Sequence, residues 1–443
     1  MKAKLILLLL CAGAMSCTAQ ILTLDTCFAL ARQNNSDLRK AAIEVQLAQE
    51  VKKQLFTKYF PTLDVNFTGF SAINPLIAFD VTQIAQTQEF KELLELLYEI
   101  ARESDPSVSN EIKLIDKGLI LGGTLIQPLY AGGRIVHGNE LASLGIDASK
   151  MKQAVTERDV LQNVEETYWL ISGLQEKRRT IRQVLELLDT LSQVTNSALE
   201  AGVITRNDIL KVELKKNEIG TLSMKLENGI SLASHLLCQL VGLPPDDQLQ
   251  LERLPEFSTS PIELEKNFII SGRPEYALLE MNVQAEKLRK RLTLGEALPT
   301  VGIGGVAGIT NLFNHTRSNV LAFFSVKVPI IAWWETAHKL KAHDLSIQQA
   351  ELMREELQNK MKLQNEQIYD AMSESHILMR QHATARQIAE ENYNISLMNY
   401  EAGLTTMSEL LESHALLMQA LDQYTDAKIT YRTSQRKFEN FNK

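Results

Sequence analysis

Two stretches of this chain nearly repeat each other: EAGVITRNDIL from Glu200 and EAGLTTMSELL from Glu401, 201 positions apart. Such repetition constrains the fold strongly, because both copies must build the same elements in the same order. Gly202 and Gly403 stand where the end of a helix takes a left-handed residue without a Cβ, and Thr205 and Thr406 stand where the next helix begins. Thr205 to Asp208 and Thr406 to Glu409 have the Thr-x-x-acid spacing of a capping box. The pattern predicts two helical hairpin tips.

Each tip follows a long stretch of helical periodicity. From about 138 to 201 there is no proline, and Leu170, Leu174, Ile181, Val184, Leu188 and Leu191 recur at the three-and-four spacing of a coiled-coil face. At 1.5 Å per residue this rod is about 95 Å long. A second rod over about 335–400 carries Ala350, Met353, Leu357, Met361 and Ile368 on one stripe. Shorter helices follow the tips, from about Thr205 to Leu240 and from about Thr406 to Asn440. Each hairpin is too thin to bury its own stripe, so the stripes are expected to need neighbours.

Ahead of each rod the period changes to two. LDVNFTGF alternates Leu63, Val65 and Phe67 with polar residues, and NVLAFFSVKVP sets Val320, Ala322, Phe324, Val326 and Val328 against Phe323, Ser325 and Lys327. The glycine-rich GLILGGTLIQP and PTVGIGGVAGI read the same way, with Leu119, Leu121 and Leu125, or Val301 and Ile303, facing out. Four strands are predicted, at about 63–72, 118–130, 299–310 and 318–330, with Pro128 and Pro329 each ending one.

The repeat unit is helix, strand, strand, long helix, tip, helix, first over 20–256 and again over 257–443. The first strand-to-strand loop carries 37 extra residues, judged from the pairing of Phe60 with Leu298 and of Pro128 with Pro329. It contains EFKELLELLYEIARES, an amphipathic helix with Leu93, Leu94, Leu97 and Ile100 on one side, expected to pack above the strands.

The balance of 46 basic against 54 acidic residues, a formal net charge of -8, lacks the basic stripe of a nucleic-acid binder. The opening MKAKLILLLLCAGAMSCTAQ has a basic start, an apolar run and small residues, which reads as a secretory signal over 1–19. Cleavage after Ala19 and lipidation of Cys17 in a loose Ala-Met-Ser-Cys lipobox both remain open. Cys27 and Cys238 are expected as small packed helix residues without a disulfide framework. Beyond the signal no run of about 18 apolar residues exists to form a transmembrane helix, whereas barrel strands need only about ten alternating residues.

No constellation of nucleophile, base and metal ligands emerges, so no enzymatic activity and no cofactor or metal is expected. GIGGVA from Gly302 satisfies a dinucleotide pattern but lacks the flanking strand, helix and acid. His338 with His343, and His376 with His382, lack the four-residue spacing of a helical metal pair and are expected on solvated faces.

Four strands cannot close a membrane barrel, and an open edge in lipid leaves backbone groups unpaired. Closure must come from several chains. The layout, with LTLDTCFALARQNNSDLRKA near the mature start, LVGLPPD at Leu240, GRPEYALLE at Gly272 and the two glycine tips, resembles the TolC family of outer-membrane efflux and secretion channels across essentially the whole mature chain.

The resemblance implies a mainly α fold with a transmembrane β-barrel portion, in which a homotrimer forms a twelve-stranded barrel and a periplasmic α-helical barrel. It implies a passive exit duct in the outer membrane of a Gram-negative-type bacterium, in contact with outer-membrane lipid, partnered by a periplasmic adaptor and an inner-membrane pump. It places Gly202, Val203, Thr205, Gly403, Leu404 and Thr406 at the adaptor contact. It places a periplasmic gate at Asp208, Tyr400, Glu409 and Glu412, with Tyr400 bonding Asp208 and the two glutamates forming acidic rings; Glu409 is also explained by its capping box. Thr405 stands where the family usually has an arginine, which weakens the closing network. The alternative is a secreted periplasmic coiled-coil scaffold that never enters lipid.

Overall fold

The computed structural model describes residues 21–73, 77–80, 87–104, 111–115, 117–200, 202, 204–247, 249–255, 272–312, 315–330 and 332–442. Cys17, Ala19 and Val203 lie outside these residues. In chain order the elements are α1 (Leu24–Asn34), α2 (Ser36–Phe56), β1 (Thr62–Ser71), β2 (Ile77–Asp80), α3 (Gln88–Ser104), β3 (Glu111–Ile115), β4 (Lys117–Ala131), α4 (Arg134–Glu200), α5 (Arg206–Val241), α6 (Pro274–Glu296), β5 (Thr300–Leu312), β6 (His315–Lys327), α7 (Ala332–Glu401) and α8 (Met407–Asn442). The order helix, strand, strand, long helix, helix occurs twice, and β2, α3 and β3 fill the extra length of the first copy.

The residues form two compact units. One comprises Gln49–Leu144 and Gln284–Gln348 and holds the strands. Its main sheet is antiparallel in the order β1-β4-β5-β6, which leaves β1 and β6 as open edges. The register aligns Leu63, Val65 and Phe67 with Leu125, Gly123 and Leu121, and these in turn with Gly305, Ala307 and Ile309, then Ala322, Val320 and Ser318. Because side chains alternate with period two, this alignment gathers Leu63, Val65, Phe67, Leu121, Leu125, Ile309 and Val320 on one face, while Ile120, Ile126, Val306 and Leu321 lie on the other with Asp64, Asn66 and Thr68. The first face is uncovered: Leu63 is 66%, Val65 67%, Phe67 67% and Phe324 65% exposed.

Pro128 does not end its strand. β4 continues to Ala131, with a register shift between Pro128 and Tyr130 against β5, while β1 pairs only as far as Ile126. The proline therefore sits where β4 has lost one neighbour and bulges against the other, a place that tolerates a missing N–H. β2 and β3 form a separate two-stranded ribbon with α3 between them in the chain.

The other unit comprises Met1–Ala48, Gly145–Val283 and Gln349–Lys443. One core gathers Cys27 and Ala31 of α1 with Val164, Tyr168 and Ile171 of α4 and Leu237 and Val241 of α5. The Tyr168 hydroxyl donates to the Leu22 carbonyl at 2.9 Å and accepts the Glu252 N–H at 3.1 Å, so the polar end of this buried ring is satisfied. Both cysteines are free and buried, and burial first, then the Cys238 charge, pushes the Cys27 thiol up to about 12.

The stripes behave differently from expectation. Ile181, Val184, Leu188 and Leu191 are buried within the chain, against Val212 and Ile219 of α5 and Met407 and Leu410 of α8, whereas Leu170 is 42% and Met353 51% exposed. A straight helix drifts about 20° per heptad from a 3.5-residue stripe, so a long stripe slides off one face and onto another. The rows left uncovered are others, including Leu210, Leu214 and Leu232 on α5 and Ile388, Ile395 and Met398 on α7. His376 is also not on a solvated face: it is buried, with its ring 5.2 Å from that of Tyr431, because α8 covers that side of α7.

Charges join α4 to α8. The buried Glu165 receives Arg436 at 2.9 Å and the Trp169 indole N–H at 3.2 Å, and Lys428, 1% exposed, meets Glu176 at 2.9 Å. Lys177 reaches Asp422 at 2.8 Å and Asp426 at 2.7 Å. Among the described residues no helix is long and apolar enough to cross a membrane.

Candidate functional site

Both tips lie in the helical unit and are built from the backbone outward. At the second tip Gly403 has φ 72°, its N–H donates to the Tyr400 carbonyl at 3.0 Å, and the Leu404 N–H reaches the Asn399 carbonyl at 2.8 Å. This pair of bonds ends α7 with a left-handed residue. A Cβ on Gly403 would meet nothing within 4 Å, so glycine is required by the backbone angle and not by space. Thr406 then caps α8: the Glu409 N–H donates to its Oγ1 at 3.3 Å, and its own N–H donates to Glu409 Oε2 at 3.2 Å. The reciprocal capping box is complete.

The first tip solves the same problem with one bond arranged differently. Gly202 has φ 73°, and its N–H donates to the Leu199 carbonyl at 2.9 Å. Asp208 Oδ2 accepts both the Thr205 N–H at 3.2 Å and the Thr205 hydroxyl at 2.7 Å. These donors, the hydroxyl first, hold the Asp208 carboxyl below its usual range, and the Thr405 hydroxyl with the Thr406 N–H does the same for Glu409.

Beneath the tips, Met407 and Leu410 of α8 pack on Leu188, Leu191 and Val212, with Tyr393, Leu397 and Tyr400 of α7 against them. Burial, then the charge of Asp208, raises the pKa of Tyr400. The two are near enough to interact, yet among the described residues no hydrogen bond joins them, and Asp208 Oδ2 accepts from Thr205. A link that sequence reasoning missed does join the tips: Lys211 Nζ donates to Ser408 Oγ at 2.6 Å and lies 3.8 Å from Asp208 Oδ1. No local spacing pairs residues 197 apart, so the sequence carries no sign of it.

Leu404 is 78% exposed, and Gly202, Thr205, Gly403, Thr406, Glu409 and Glu412 are exposed as well. Glu409 and Glu412 share one side of α8, opposite the buried Met407 and Leu410. Among the described residues no group of side chains is arranged to hold a metal ion.

Solved structures share this fold. The outer-membrane channel OprN matches at TM-score 0.75 and 15% identity over 94% of this chain and 89% of its own. The CmeC outer membrane channel of Campylobacter jejuni matches at 0.75 and 14% over 94% and 85%, and the outer membrane protein VceC of Vibrio cholerae at 0.72 and 12% over 95% and 96%. The fold is that of the TolC-type outer-membrane channels. A similarity over 94% to 95% of the chain extends across both repeats. No protein-family model and no curated protein sequence matches the chain.

Proposed function

We propose that this chain is a passive exit duct of the outer membrane, formed by three copies whose sheets join edge to edge into one twelve-stranded barrel. The observation that carries the reading is the sheet: both its edges are open, and its apolar face is uncovered. An edge of unpaired backbone and an apolar outer face are costly in water, and both are satisfied when β1 of one copy pairs with β6 of the next inside lipid. The uncovered rows on α5 and α7 are the helical counterpart, seams for neighbouring subunits in an α-helical barrel.

The tips at Gly202, Thr205, Gly403, Leu404 and Thr406 then meet a periplasmic adaptor, which connects the duct to an inner-membrane pump for efflux or secretion. Val203 belongs to the same contact by its place in the repeat. Asp208 and Tyr400 lie at the closing end, and Glu409 and Glu412, three copies of each, form acidic rings that attract cations. The protein performs no catalysis; its work is to pass a substrate moved by the pump. A periplasmic scaffold would have no use for a sheet with an apolar face.

The purified protein tests this directly. Its detergent-extracted complex should have three times the mass of the processed chain, which is 49.8 kDa before signal removal, and should conduct ions in a planar bilayer. A stable monomer without conductance overturns the reading.

A further inference from the structure

The extra length between β1 and β4 forms a helix with the wrong surface for a decoration. Leu93, Leu97 and Ile100 of α3 are 49%, 53% and 55% exposed, and Phe90 beside them 52%, so most of the face expected to pack on the strands is uncovered, with Leu94 half-buried. Thr87 starts the helix, its Oγ1 accepting the Phe90 N–H at 3.4 Å and its carbonyl the Lys91 N–H at 3.1 Å. The helix is therefore properly begun and amphipathic, and its apolar side awaits an occupant.

Three features choose among occupants. Its polar face carries Glu89, Glu92, Glu95, Glu99 and Glu103 against only Lys91 and Arg102, whereas a helix that lies on a lipid surface needs a basic polar face. Its apolar residues follow a three-four-three spacing at Phe90, Leu93, Leu97 and Ile100, the seam of helices that pack on copies of themselves. In a parallel arrangement of such copies, the positions flanking the seam set Glu89 opposite Leu94 and Leu96 opposite Ala101, so no two acids face each other; Glu92, Glu95 and Glu99 point outward, and Glu103 flanks the seam in the last turn, past the final facing position of the helix. Identical acidic helices can therefore meet along this face without like-charge pairing.

Topology supplies the meeting. β4 leads from its Ala131 end into α4, so the β1–β4 connection that holds α3 leaves from the opposite end of the sheet. Around a threefold axis the three copies of that connection are related by rotation and share one rim.

We propose that the three copies of α3 in one assembly pack on each other through Phe90, Leu93, Leu97 and Ile100, forming a short bundle at the barrel end opposite the long helices. This rests on the threefold reading above. Seventeen residues make a weak coil in isolation, but tethering on one barrel makes the association intramolecular.

The test uses the full-length protein in its native membrane, with Leu97→Cys on the seam and Glu95→Cys on the outward face, each oxidised with copper phenanthroline. Cys27 and Cys238 are buried and contribute no background. The expected result is a covalent dimer of this chain for Leu97→Cys and at least a tenfold lower yield for Glu95→Cys. A complex of trimeric mass with equal yields, with no dimer, or with Leu97→Cys joined to a different polypeptide overturns the inference and leaves the channel reading intact. A monomeric complex overturns both.

Discussion

Thr205 and Thr406 start helices that point at open solvent, and each depends on an acid three residues later for its backbone N–H. That dependence is pH-sensitive in a definite direction. Asp208 and Glu409 have lowered folded-state pKa values, so the stabilisation is present above the unfolded carboxylate range and is lost as pH falls through the folded values. Asp208→Asn should therefore lower the melting temperature at pH 7, and the gap to the natural protein should close below about pH 4. A gap that persists in acid would mean the charge is irrelevant. At the other extreme of exposure, burial keeps the Cys27 thiol protonated up to about 12, so neither cysteine should react with iodoacetamide at pH 8 until the chain is unfolded. Labelling counted by mass spectrometry before and after denaturant checks this. Glu165 receives Arg436 and Trp169 in the core: Glu165→Ala should destabilise by about 1–3 kcal/mol in denaturant titrations, since it leaves the Trp169 indole N–H without its partner and Arg436 with Glu439 alone.

At the scale of elements, the turns decide whether the hairpins end where they do. Gly403→Val must adopt a left-handed backbone that a β-branched residue disfavours by about 1–2 kcal/mol, whereas Gly403→Asn tolerates it. Because the added side chain meets no neighbour, the difference between the two variants reports backbone conformation alone. Export should fail for valine and persist for asparagine, with both assembled in the membrane, as read by efflux of a fluorescent substrate. Equal export would separate the tip from adaptor docking. The turns were legible in the sequence because glycine and the Thr-x-x-acid spacing act locally, and the strands because period two survives even in GLILGGTLIQP. Features that depend on distant partners were not. Pro128 stays inside β4 because β1 stops pairing at Ile126, which no local rule states. Lys428 and Glu176 meet across 252 positions with no spacing to announce them. The link of Lys211 to Ser408 between the tips is of the same kind, a contact across 197 positions that no spacing announces.

For the molecule as a whole, the sheet separates two environments by alternate residues. Phe67 belongs to the apolar face and Thr68 to the other, so adjacent substitutions should have opposite consequences. On the duct reading, Phe67→Arg should cost about 2–4 kcal/mol near the middle of a bilayer and deplete the heat-modifiable trimer band, while Thr68→Arg, on the opposite face of the sheet, should leave it intact. Loss of the band in both would place the sheet outside lipid. On the duct reading the same face has a consequence for the protein before it reaches the membrane. A newly exported copy holds Leu63, Val65, Phe67 and Phe324 bare to water, and its outermost strands present templates for indiscriminate pairing. Such a molecule is expected to need an escort during transit and to complete its fold as it inserts.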